Sequence, residues 1–99
     1  MLFRSVEVHI EQGPRLADAG APLGIVTGVV GVSRGTFVVE GKASHAGTTP
    51  MDVRDDALVK AAELMLRIRE TAKAIDGAVA TVGVVEVEPG AVKIGRAHV

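Results

Sequence analysis

Between Pro50 and Ile75 the chain repeats apolar residues at steps of three and four: Ala57, Ala61, Leu64, Ile68, Ala72 and Ile75, with Leu58 and Met65 widening the stripe. This is the period of a helix that turns one face to a core. Asp52, Asp55 and Asp56 come early, and Arg67, Arg69 and Lys73 come late, so both groups suit the helix dipole. Thr49 is the expected N-cap, because its hydroxyl can accept a free backbone N–H of the first turn. Pro50 suits the first helical position, where no intrahelical N–H bond is lost. Gly77 is the expected stop. The spacing therefore predicts one long helix over about 50–75, and Arg54 is placed to pair locally with Asp52 or Asp55.

Elsewhere the period falls to two. Val6, Val8 and Ile10 alternate with Glu7, His9 and Glu11, as in a half-buried strand, until Gln12-Gly13-Pro14 stops the run. Arg15 to Ala19 suits a short helical turn closed by Gly20, and Ala21 to Gly24 a linker or hinge. Ile25 to Val32 reads as a strand with bulges at Gly28 and Gly31. Ser33-Arg34-Gly35 suits a hairpin turn, and Thr36 to Lys42 alternates again. Gly41 to Thr49 is a polar loop that holds His45. Ala78 to Glu88 is a last β-run, ended by Pro89-Gly90. Strands and one helix in this order predict an α+β fold, an antiparallel or mixed sheet covered on one face. A ferredoxin-like sandwich would need one more helix and strand, so the topology reads as incomplete.

Composition removes several function classes. Formal net charge is -1 and no basic patch stands out, which argues against nucleic acid and anionic membrane as partners. Phe3 and Phe37 are the only aromatic residues, so stacking on bases is effectively excluded. Cysteine is absent, which excludes disulfides and thiolate metal sites within the chain. No apolar run reaches membrane-spanning length. The expected location is the cytoplasm.

Three segments could carry chemistry. His9 lies between Glu7 and Glu11; imidazole is a common zinc ligand and a carboxylate can orient it. Taken alone, a surface histidine on a strand is the simpler reading. His45 lies among small residues just before the helix and could donate a hydrogen bond to a developing oxyanion. Taken alone, a loop-filling histidine beside the capping Thr48 and Thr49 is simpler. Glu86 and Glu88 share a face, and there the plain reading of a solvated strand edge is preferred.

The order of motifs changes that weighing. His9-Ile10-Glu11-Gln12-Gly13-Pro14 is similar to the HIEQGP signature of the N-carbamoyl-L-amino-acid hydrolase and allantoate amidohydrolase family, within the aminoacylase-like dinuclear metallopeptidases. Ser44-His45-Ala46-Gly47-Thr48-Thr49-Pro50-Met51 resembles the family's (N/S)HAGTTPM segment. Gly24-Ile25-Val26-Thr27-Gly28, Ala80-Thr81-Val82-Gly83 and Glu88-Pro89-Gly90-Ala91-Val92 also fit. The resemblance runs from about Val6 to Val92.

The resemblance implies an internal fragment of an amidohydrolase with two divalent metal ions, zinc or manganese. It implies that His9 is a metal ligand, the one ligand this stretch supplies, and that Gln12 contacts substrate. His45 would reach from a lid domain across a homodimer, bind substrate and stabilise the oxyanion formed when a metal-activated hydroxide attacks a ureido or amide carbon. The remaining ligands and the general base would lie outside the chain. Residues 1–22 would then be the terminal strand of an α/β catalytic segment plus hinge. Residues 23–99 would be a truncated ferredoxin-like lid and dimerisation domain. Leu2 to Ser5 and Ile94 to Val99 look like translated sequencing-adapter DNA and are expected to be non-native. Two other readings stay open: a free-standing homodimerisation module without catalysis, and a fragment of a related metallopeptidase or deacylase.

Overall fold

The computed structural model describes residues 4–89 and the backbone of 96–98. Of the two ends expected to be non-native, residues 1–3, 94, 95 and 99 lie outside the described residues, as does Gly90 of the expected strand stop. The chain divides into two compact units, Met1–Ser33 and Arg34–Val99.

The first unit is organised around one helical turn, α1 (Arg15–Asp18). The Glu11 carboxylate starts it by accepting the Leu16 N–H at 3.0 Å. Asp18 N–H donates to the Pro14 carbonyl at 2.8 Å, and Ala19 N–H to that of Arg15 at 3.0 Å. The half-buried Leu16 lies against Gly24, where a Cβ would come within 2.9 Å of Leu16 Cδ2. The strands expected at 6–10 and 25–32 are not formed. Val8 is 93% exposed and Ile25 is 92% exposed. Alternation alone makes no strand. The backbone groups need a neighbouring ladder, and among the described residues of this unit none is present. The expected hairpin turn at 33–35 is absent for the same reason.

The second unit contains β1 (Val38–Glu40), α2 (Ala57–Ala74), β2 (Glu86–Glu88) and β3 (Arg96–His98). The sheet runs β1-β3-β2 with both pairings antiparallel. Ala97 is in register with Val39 on one side and Val87 on the other. The class is α+β, as expected. The helix lies on the sheet through its N-terminal half. Ala57 and Ala61 are fully buried, and Val39 of β1 packs on them. Leu58, Leu64, Met65, Ile68 and Ala72 are half-buried, so the predicted stripe is the less exposed face as far as Ala72, while Ile75 at its end is exposed.

The start of the helix differs from the expectation. Pro50 is extended (φ -56, ψ 148) and is followed by a single 3₁₀ turn over Met51–Val53. Arg54 is extended again (ψ 137). The α-helix begins at Ala57 with Asp56 as N-cap, its carboxylate accepting from Leu58 N–H at 2.9 Å and Val59 N–H at 3.3 Å. An ionised carboxylate at that position satisfies two orphan donors, whereas the Thr49 hydroxyl is committed to the His45 carbonyl at 2.6 Å. The helix ends at Ala74, three residues before Gly77, whose φ of 72 closes the following turn.

Gly41 sets the distance between strand and helix. A Cβ on it would lie 2.3 Å from the Asp55 carbonyl oxygen and 2.7 Å from the Ala57 nitrogen. Lys42 N–H donates to the same Asp55 carbonyl at 2.8 Å. Both obstructions are backbone, so Gly41→Ala must push β1 off the helix. The expected cost is about 2 kcal/mol, read as a lower urea midpoint of the helical circular dichroism signal. An unchanged midpoint would contradict this packing.

Candidate functional site

His9, Gln12 and His45 are all exposed. His9 and Gln12 belong to the first unit and His45 to the second.

His9 Nδ1 lies 2.6 Å from the Ile10 carbonyl oxygen. A carbonyl can only accept, so in the neutral form of the ring Nδ1 carries the proton and Nε2 the lone pair. A histidine that binds a metal through Nε2 is oriented in this way, through its other ring nitrogen. The expected orienting carboxylate is not used, because Glu11 is occupied by the α1 amide. Gln12 has a φ of 58, a left-handed conformation that a side chain enters at a cost of about 1 kcal/mol. Glu11 and Pro14, bonded to α1 on either side of it, hold the bend.

His45 makes the opposite arrangement. Gly47 N–H donates to its Nδ1 at 3.1 Å. An amide can only donate, so Nδ1 carries the lone pair and the neutral ring presents an Nε2–H. The turn closes on the His45 carbonyl, which accepts from Thr49 N–H at 3.2 Å and from Thr49 Oγ1 at 2.6 Å.

Arg54 is a residue whose role the sequence reading missed. It does not pair with Asp52 or Asp55. Its Nε donates to the Thr49 carbonyl at 3.0 Å and its Nη2 to the Ala46 carbonyl. Asp55 pairs instead with Lys60, which also donates to the Glu40 carbonyl at 3.1 Å. The only signal for Arg54 was its place shortly after the motif, and a nearby acid offered the simpler partner. Glu86 and Glu88 are exposed on β2 while Val87 between them is half-buried, in line with a solvated face.

Among the described residues no three His, Cys, Asp or Glu side chains gather into a group that could hold a metal ion. His9 has the free Nε2 that one ligand of such a group requires. Two-bond proton–nitrogen correlation spectra of the imidazoles, at a pH where the rings are neutral, test both assignments. His9 is expected to carry its proton on Nδ1 and His45 on Nε2. The same tautomer at both sites would contradict the geometry.

No family model matches the chain. The chain is 45% identical over 89 residues to the N-carbamoyl-L-amino acid amidohydrolase of Geobacillus stearothermophilus, covering 90% of this chain and 22% of that protein. It is 48% identical over 68 residues to the allantoate deiminase of Arabidopsis thaliana, covering 69% of this chain and 13% of that protein. The crystal structure of an amidase of the hydantoinase/carbamoylase family from Burkholderia phymatum matches 91% of this chain and 23% of its own, with a TM-score of 0.69 and 31% identity. The chain thus spans about a fifth of the length of the relatives it matches over most of its own. As a segment of that extent, the chain belongs to the family of the N-carbamoyl-L-amino-acid amidohydrolases and allantoate deiminases.

Proposed function

We propose that the chain is part of a metal-dependent amidohydrolase that cleaves carbon–nitrogen bonds other than peptide bonds, in N-carbamoyl amino acids, allantoate or related ureido compounds. The observation that carries this reading is the opposite hydrogen bonding of the two motif histidines. His9 holds an outward lone pair, suited to a cation. His45 holds an outward N–H, suited to an anion. A divalent metal pair, zinc or manganese, supplies Lewis-acid polarisation and water activation when bound. His9 would give it one ligand through Nε2, and the other ligands and the general base would come from outside these residues.

The reaction adds water to the carbamoyl carbon and then breaks its bond to nitrogen. Negative charge collects on the former carbonyl oxygen during the addition. His45 Nε2–H donates to that oxygen, and one such donor contributes about 100- to 1,000-fold to kcat. The His45 ring does not have to reorganise, because Gly47 N–H already holds its proton distribution. Gln12 presents its amide to substrate from a fixed bend. Residues from about 23 onward serve as a ferredoxin-like lid that carries His45 to the active site of a partner subunit in a cytoplasmic homodimer.

A free-standing homodimerisation module is the second reading. It is favoured by a mainly apolar groove of about 370 Å3 beside the C-terminal half of α2, whose lining includes Leu64, Ile68, Ala72 and Ile75 together with Arg67 and Thr71.

One exchange experiment separates the two. The matching stretch of the Geobacillus stearothermophilus relative is replaced by residues 6–92 of this chain. The chimera is expected to hydrolyse N-carbamoyl-L-amino acids and to lose activity on chelation. His45→Ala should lower its kcat by about 100-fold or more with a small change in KM. His9→Ala should lower its metal content. The 99-residue chain alone should show no turnover. Turnover by the chain alone, or a chimera indifferent to His45→Ala, would contradict the proposal.

A further inference from the structure

The turn His45-Ala46-Gly47-Thr48-Thr49 is exposed over most of its length and belongs to no helix or strand. Its own hydrogen bonds join Thr49 to the His45 carbonyl and Gly47 to the His45 ring. The carbonyls of Ala46 and Thr49 take no part in those bonds. Both are taken by one guanidinium, that of the half-buried Arg54.

Three features set this side chain apart from an ordinary surface arginine. Both of its bonds go to backbone carbonyls, and among the described residues it makes no ion pair. Of the neighbouring carboxylates, Asp55 is committed to Lys60 and Asp56 to the first amides of α2. The main chain at Arg54 is extended between a 3₁₀ turn and the helix cap, which lets the side chain fold back over the loop. A planar fork with donors at fixed spacing can hold two acceptors at once, whereas a lysine ammonium is a single point on a flexible stem.

We propose that Arg54 is a positioning residue for His45: its guanidinium ties the Ala46 and Thr49 carbonyls together and so holds the Gly47 N–H on His45 Nδ1. This inference rests on the reading of His45 as the oxyanion donor. Arg54 does not touch substrate in this account. It acts through the turn, and its loss is felt at the ring nitrogen.

The test uses the whole 99-residue chain, with Arg54→Lys and Arg54→Ala. Two quantities are read at the turn: hydrogen exchange of the Gly47 and Thr49 amides, and the nitrogen shift of His45 Nδ1. The amides of α2 serve as control in the same spectra. Both variants are expected to speed exchange at Gly47 by about tenfold, the loss of roughly one hydrogen bond's net stabilisation. His45 Nδ1 should move toward the shift of an unbonded ring nitrogen, while α2 keeps its protection. If Arg54→Ala also unfolds α2, the lysine variant, which keeps the charge and the aliphatic stem, decides. Unchanged Gly47 exchange and an unchanged Nδ1 shift in Arg54→Lys would overturn the proposal. So would equal loss of protection at Gly47 and along α2 in both variants, which would make Arg54 a general fold residue. A wild-type chain whose His45 Nδ1 carries a proton would overturn the reading of His45 itself, a failure visible before any variant is made.

Discussion

Everything in the second unit depends on how closely β1 comes to the start of α2. The contact is made without side-chain bulk: Gly41 over the Asp55 carbonyl and the Ala57 nitrogen, with Ala57 and Ala61 under Val39. These two alanines are the only fully buried residues described, so the core is thin and each contact matters. The same contact closes a loop. Lys42 N–H on the Asp55 carbonyl joins the chain before His45 to the chain after Arg54. Everything between is then a tethered excursion, short enough for a few hydrogen bonds to give it one shape.

The amphipathic helix was the most legible part of the fold. Its stripe from Ala57 to Ala72 is the less exposed face, with Ala57 and Ala61 buried under Val39, since side-chain period is a local property that survives any tertiary arrangement. Its beginning was not legible. Thr49-Pro50 and Asp56-Ala57 are both acceptable starts on sequence alone. The choice between them turned on where the Thr49 hydroxyl and the Arg54 guanidinium found partners, both of them in the His45 loop. The strands show the converse limit. The alternation at 6–10 and 25–32 is real, but a strand exists only with a neighbour to pair with, and period says nothing about the neighbour. The α+β class was readable from the order of elements; the pairing order β1-β3-β2 was not.

For the candidate site, the motifs named the right residues to inspect but not how each is held. Carboxylates looked like the natural partners for His9 and Arg54. Both instead meet backbone carbonyls, while Glu11, Asp55 and Asp56 serve amides or a lysine. Acidic residues close in sequence are easy to count, and carbonyl directions are not visible until the backbone is drawn. One consequence is chemical. Two exposed histidines are set to opposite tasks by a single neighbour each, a carbonyl at His9 and an amide at His45.

The central claim is that His9 offers Nε2 to a metal in the assembled enzyme. It is tested most directly by anomalous diffraction from crystals of the chimera carrying residues 6–92, grown with zinc or manganese. The account predicts an anomalous peak about 2.0–2.1 Å from His9 Nε2 if the metal is zinc, with Nδ1 still turned to the Ile10 carbonyl. A metal bound through His9 Nδ1, or a metal pair with no bond to His9, would contradict it.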